Sequence, residues 1–206
     1  DDPDTDYHQL VADMAGISRK NAKTLNLGLA YGMGAAKAAT QLGLPPAEAK
    51  RVYEQYHANV PFIKALGEEC TRIATNRGYV KTFLGRRRRF QLFGPPKYSP
   101  GLIPLKRDLA EEKYGLPLKR YFVHKAMNAV IQGSSADMIK MAMINLYKKG
   151  EVPHLTIHDE LDFSVRDLDH ARMIRQEMLT CVDLVVPLKV DCELGPNWGE
   201  AVEVKL

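Results

Sequence analysis

Cysteine is scarce in this chain: Cys70, Cys181 and Cys192 are the three among 206 residues. They are too few and too scattered for a disulfide scaffold, and no two form the C-x-x-C pair that suits structural zinc. A reducing compartment is therefore the default. Long apolar runs are missing too. The longest stretch without a charged residue covers positions 24–36, which include Asn26 and several glycines, well short of the roughly 20 apolar residues that span a bilayer. No membrane helix is expected. The opening Asp1-Asp2-Pro3-Asp4 has neither an initiator Met nor the basic and apolar regions of a secretory leader. The expectation is a chain that begins inside a longer protein. Internal repeats and low-complexity tracts are also absent.

What remains is ordinary globular composition, 45% hydrophobic and 26% charged. It excludes disorder for most of the chain and allows one large domain or two small ones. Lys and Arg number 29 against 25 Asp and Glu, but the distribution says more than the net charge of +4. Four acids fall within the first six residues, and arginine fills positions 86–89, a patch whose sign suits phosphate.

Ser18 is a good helix cap, and the proline-free run 19–31 is followed by Gly32 and Gly34, which fit a helix stop. Pro45-Pro46 opens a second helical run, 47–59, with Val52, Tyr53 and Tyr56 on one face. Pro61 opens a third, through residue 77. Three helices in series predict a helical subdomain. From Gly78 the texture changes: 79–83 alternates like a strand, Gly85 marks a turn, and 87–92 returns as its partner. Segment 93–117 carries five prolines and three glycines, so it is predicted as loop with a short helix near 105–113, and a soft domain boundary is placed there. A long helix follows over 118–149. Segments 154–157 and 161–165 alternate around the polar His158-Asp159-Glu160, predicting a β-hairpin with acids at its tip. A helix over 169–183 and a strand over 188–192 complete an α+β fold, with helices on one face of a small antiparallel sheet.

Arg19, Lys23, Leu27 and Tyr31 recur every four residues and lie along one helix face, cationic at one end and apolar or aromatic at the other. A nucleoside triphosphate suits such a face, its phosphates near the cations and its base near the ring. The same spacing equally describes an amphipathic helix with Leu27 and Tyr31 in the core and two solvated cations. Asp159 and Glu160 offer hard oxygen ligands for a divalent metal, or form a solvated turn. Two acids alone do not make a two-metal site. Lys125, Asn128, Gln132 and Ser135 form a polar stripe that could reach base edges or sugar, or satisfy neighbours in a crowded core.

Together these residues resemble a known family. Residues 19–32, read as Arg-Lys-Asn-Ala-Lys-Thr-Leu-Asn-Leu-Gly-Leu-Ala-Tyr-Gly, resemble motif B of family A DNA polymerases, the DNA polymerase I and phage T7 type, whose pattern is R-x3-K-x3-[FY]-x3-Y-G. Ile157-His158-Asp159-Glu160 resembles motif C, and residues 128–137, Asn-Ala-Val-Ile-Gln-Gly-Ser-Ser-Ala-Asp, are similar to the intervening palm helix. Thr82-Phe83-Leu84-Gly85-Arg86-Arg87 and Gly195-Pro196-Asn197-Trp198 match as well, in the family's order.

The resemblance implies a right-hand polymerase adding deoxynucleotides to a primer 3′ end, with residues 1–117 as a mostly helical fingers subdomain, its Pro-rich loop at 93–117, and 118–206 as the C-terminal palm portion. His8, Arg19 and Lys23 would grip the incoming triphosphate, Leu27 would face its sugar, and Tyr31 and Gly32 would gate the templating base. Arg86, Arg87, Asn128, Gln132 and His158 would contact DNA. Asp159 and Glu160 would serve at the metal, with Lys23 assisting catalysis, and two Mg²⁺ ions would be the cofactors. Primer-template DNA and deoxynucleoside triphosphates are the implied partners, and the cytoplasm the implied location, the host's if the gene is phage-encoded.

Two departures from the pattern stand out. Leu27 replaces the usual Phe or Tyr, and no D-x-S-x-x-E segment precedes His8, so the motif A aspartate is missing. Inactivity in isolation is therefore expected, along with an upstream segment or a partner chain that carries motif A. The rival readings are a split polymerase subunit and a non-catalytic nucleotide- or DNA-binding module.

Overall fold

The computed structural model describes residues 6–30, 33–97 and 99–206. The chain divides into two compact units, Asp1–Ile131 and Gln132–Leu206. Among the described residues the strands pair only as two-stranded antiparallel ladders, and helices dominate, so the fold is α+β.

The first unit opens with five helices: α1 Tyr7–Ala15, α2 Arg19–Ala30, α3 Ala35–Leu42, α4 Pro46–Asn59 and α5 Pro61–Arg77. Helices α1 and α3 add to the three predicted from sequence. Helix α1 exists because Asp6 caps it, accepting from the backbone N–H groups of His8 and Gln9, and because Val11, Ala12 and Ala15 bury one stripe. Gly16, at φ 64°, ends it in the left-handed conformation that glycine adopts without steric cost. Helices α4 and α5 each begin with proline in the first turn, where the missing N–H costs nothing. Val11, Leu25, Leu29, Leu42, Val52 and Tyr56 interlock as one core.

A second core gathers Cys70 and Ala74 of α5 with Val80, Phe90, Ala126 and Met127. Strand β1, Tyr79–Lys81, pairs with β2, Arg87–Arg89, in the register Tyr79↔Arg89, Val80↔Arg88 and Lys81↔Arg87. Both strands are shorter than predicted. Strand β3, Phe93–Gly94, pairs with β4, Lys119–Arg120, and the predicted short helix forms as α6, Arg107–Tyr114. The predicted long helix starts later than expected, as α7, Ala126–Lys148. The reason is local: Lys119 and Arg120 give their backbone groups to β3, Phe122 turns left-handed at φ 61°, and Val123–Lys125 form a 3₁₀ turn.

In the second unit, β5 Leu155–Ile157 and β6 Glu160–Asp162 form the predicted hairpin. Helix α8, Leu168–Leu179, is capped by Asp167, which accepts from the His170 N–H at 2.8 Å. The predicted strand at 188–192 instead lies at β7, Cys192–Leu194, paired with β8, Val202–Val204. That ladder closes through Gly195-Pro196-Asn197-Trp198, where the Asn197 side chain accepts from the N–H groups of Gly199 and Glu200.

Candidate functional site

The packing of α2 fixes which side of the helix is buried. Ala22, Leu25, Asn26 and Leu29 are buried, so the core side of this helix falls at 22, 25, 26 and 29. Arg19, Lys23 and Leu27 lie outside that stripe and are exposed, Leu27 by 45%. Leu27 is therefore not a core residue, and a cationic line with an apolar end faces solvent. Tyr31 and Gly32 fall outside the described residues.

Helix α1 supplies the neighbouring groups. Asp6, while capping α1, accepts a 2.7 Å hydrogen bond from Arg19 Nε. The Arg19 guanidinium, with the capped N–H groups, holds the Asp6 carboxyl below the ordinary carboxylate value. His8 Nδ1 lies 2.9 Å from Asn26 Nδ2. His8 and Arg19 are thereby tied to one corner of α1 and α2, and Lys23 follows Arg19 by about one turn of α2. Lys23 has no carboxylate partner among the described residues. Sequence reasoning missed Asp6 and Asn26. Asp6 had a readable signal, a helix-capping residue two positions before His8. The Asn26 contact spans 18 positions, which no local pattern encodes.

The β1–β2 hairpin tip is built by Thr82. Its N–H donates to Arg86 O at 2.9 Å, its O accepts from Gly85 N at 2.9 Å, and its buried hydroxyl accepts from Arg86 N at 3.0 Å. Gly85 takes φ 86°, a conformation that disfavours side chains. The turn feeds an exposed strand of three arginines. Alternation puts Arg87 and Arg89 on one face and Arg88 on the other, and the Arg87 guanidinium stacks 4.8 Å from the Tyr79 ring centroid.

On α7, Asn128, Gln132 and Ser135 share a face as predicted, whereas Lys125 belongs to the preceding 3₁₀ turn. Asn128 Oδ1 is buried with no hydrogen-bond partner among the described residues. At the β5–β6 hairpin, Ile157 pairs with Glu160, so the turn is His158-Asp159 and Glu160 is the first residue of β6 instead of part of the tip. His158 takes φ 54°, strained for a non-glycine residue. Asp159 and Glu160 are exposed. Among the described residues no group of three or more His, Cys, Asp or Glu side chains converges as a metal site.

The model of DNA polymerase family A matches residues 5–200, and the chain belongs to that family. It is 37% identical to a DNA-directed DNA polymerase of Pseudomonas phage M6, over 98% of this chain and 32% of that protein. It is 34% identical to DNA polymerase I of Lactococcus lactis strain IL1403, over 92% of this chain and 20% of that protein. Among solved structures, the polymerase domain of Pol1 from M. smegmatis, in complex with a DNA primer-template and dNTP, is similar with a TM-score of 0.67 and 31% identity. That match covers 89% of this chain and 32% of that one. The chain thus spans a third or less of these relatives. Among the described residues, no helix is long and apolar enough to cross a membrane.

Proposed function

We propose that this chain forms the fingers, residues 1–117, and the C-terminal palm portion, residues 118–206, of an enzyme that adds deoxynucleotides to a primer 3′ end. The observation that carries the reading is the outward line of Arg19, Lys23 and Leu27 on α2, with His8 bonded beside it. Arg19, Lys23 and His8 bind the triphosphate, Lys23 and Arg19 neutralise charge that develops on the transferring phosphate, and Leu27 packs at the sugar. The resemblance to motif B assigns Tyr31 and Gly32, which lie outside the described residues, the gate at the templating base. Arg86 and Arg87 hold the DNA backbone. Asn128, Gln132 and His158 read primer or template edges.

Asp159 and Glu160 are hard oxygen donors that suit Mg²⁺, and they would hold it together with an aspartate from motif A. When bound, two such ions supply positive charge to the attacking and leaving oxygens. No D-x-S-x-x-E pattern precedes His8, and this reading assigns that aspartate to an upstream segment of the same protein or to a partner chain. Primer extension tests this. The chain alone should give no Mg²⁺-dependent product, and mixing it with the upstream polymerase segment should restore extension. Robust extension by the chain alone would remove the need for motif A. DNA binding without extension in the mixture would favour a non-catalytic module.

A further inference from the structure

Asn26 is an amide in an apolar stripe. It is 4% exposed, between the buried Leu25 and Leu29, where a leucine would pack without desolvating any polar group. Its Nδ2 meets His8 Nδ1 at 2.9 Å, and its Oδ1 is buried with no partner among the described residues. Rotating the amide would bring Oδ1 to the ring and leave both N–H donors without a partner, where the observed orientation leaves one N–H and the carbonyl oxygen, and orphaned buried N–H groups are the rarer of the two. The observed orientation is thus the less costly one. It makes Asn26 the donor and His8 Nδ1 the acceptor. A neutral imidazole that accepts at Nδ1 carries its proton on Nε2.

We propose that Asn26 is a positioning residue: by donating to His8 Nδ1 it locks the tautomer whose Nε2–H is available to donate to a phosphate oxygen of the incoming nucleotide. The proposal rests on the reading of His8 as a triphosphate ligand. It explains why a half-satisfied amide persists in a core whose neighbours are apolar. Asp6 completes the arrangement by capping the turn that carries His8, through the His8 N–H at 3.0 Å. Backbone and ring are then held separately, the first by a carboxylate and the second by an amide.

The test is ¹⁵N NMR of the histidine rings in the 206-residue chain at about pH 8.5, two units above an ordinary imidazole, followed by titration with dATP in excess Mg²⁺. His8 should show an unprotonated Nδ1 and a protonated Nε2. In Asn26→Asp the carboxylate can only accept, so Nδ1 should become the protonated atom. Asn26→Leu keeps the volume and removes the donor. It should weaken dATP binding about tenfold, as expected for a misdirected charge-assisted hydrogen bond. His8→Ala should weaken binding by a similar factor, and the double variant His8→Ala/Asn26→Leu no further than His8→Ala alone. A purely structural Asn26 would instead add its loss to that of His8. A protonated Nδ1 in the unmodified chain overturns the proposal, as does unchanged dATP affinity in folded Asn26→Leu when His8→Ala binds weakly. Unchanged affinity in His8→Ala, with the expected tautomer observed, overturns the phosphate role of His8 beneath it.

Discussion

Asp6 Oδ2 accepts from Arg19 Nε at 2.7 Å while the same carboxylate caps α1, so one exposed acid ties the start of α1 to the start of α2. Its carboxyl titrates below the ordinary 3.8, chiefly through the hydrogen bond from Arg19. The folded value is depressed, so the stabilisation is present above the unfolded value and is lost as pH falls through the folded one. Asn still caps a helix but carries no charge. In thermal melts of the chain, Asp6→Asn should therefore fall below the unmodified protein near neutrality by no more than a few degrees, since exposed pairs contribute little, and the two curves should converge in acid. Curves that stay parallel through the acid range would show that the charge of Asp6 does not stabilise the fold.

Lys23 is exposed and faces no carboxylate among the described residues, so its charge is available to a ligand. In the polymerase completed with its upstream segment, Lys23→Ala should lower the efficiency of nucleotide incorporation by tenfold or more, equivalent to about 1.4 kcal/mol or above. Affinity for primer-template should change less than twofold. Pre-steady-state incorporation and a duplex-binding titration make the comparison, and equal losses in both would move Lys23 from the nucleotide to the DNA.

Much of this corner was legible because a helix repeats every 3.6 residues. Arg19, Lys23 and Leu27 could be aligned from spacing alone, and the Gly and Pro signals bounded α4 and α5. Spacing could not say which face was buried. That was decided by Ala22, Leu25 and Leu29 packing against Val11, Val52 and Tyr56, contacts that join distant segments. Helix α1 was overlooked because its apolar stripe is only about two turns long and its cap lies in an acid-rich opening. The β5–β6 hairpin was foreseen, yet Glu160 was assigned to the tip. Pairing register, set by Ile157↔Glu160, is a cross-strand property and leaves little mark on either strand.

Arg87 tests the arginine hairpin. Its guanidinium is exposed and braced against Tyr79, so it should meet backbone phosphate and not base edges. Arg87→Ala in the completed enzyme should weaken primer-template binding to a similar degree for unrelated sequences, and should reduce the slope of log K against log salt by about one. A loss confined to particular sequences would assign Arg87 to base reading.

Gly195 has a different task. A Cβ placed there would lie 2.7 Å from the Ala201 backbone and from Glu200 O, closer than atoms in the β7–β8 hairpin can tolerate, and backbone cannot swing aside as a flexible side chain can. Gly195→Ala should cost about 1–3 kcal/mol, the range for forced overpacking. Asn197→Ala removes a cap and an exposed hydrogen bond from Nδ2 to Glu200 Oε1 at 2.7 Å, at about 1 kcal/mol. Urea unfolding of both variants checks the order, and a Gly195→Ala chain as stable as the unmodified one would mean that the hairpin opens freely.

Leu27 provides the sharpest test of α2, because here the chain departs from its family's pattern. The residue lies two turns beyond Arg19 and one beyond Lys23, and it is 45% exposed, so it is not held by the core and can meet a ligand. If the cations take the phosphates, position 27 faces the sugar. A leucine there provides apolar contact but lacks the ring edge or hydroxyl with which an aromatic residue senses the 3′ position. Leu27→Tyr should leave folding intact, since an exposed site has room for a larger side chain. It should shift the preference between dideoxy- and deoxynucleotides by about 1 kcal/mol or more, the size of one net hydrogen bond. The measurement is the ratio of incorporation efficiencies for the two nucleotides in the completed enzyme, before and after the change. A ratio that stays the same in a folded, active variant would mean that residue 27 does not reach the sugar. The nucleotide would then have to be gripped from another direction, and the roles given to Arg19 and Lys23 would go with it.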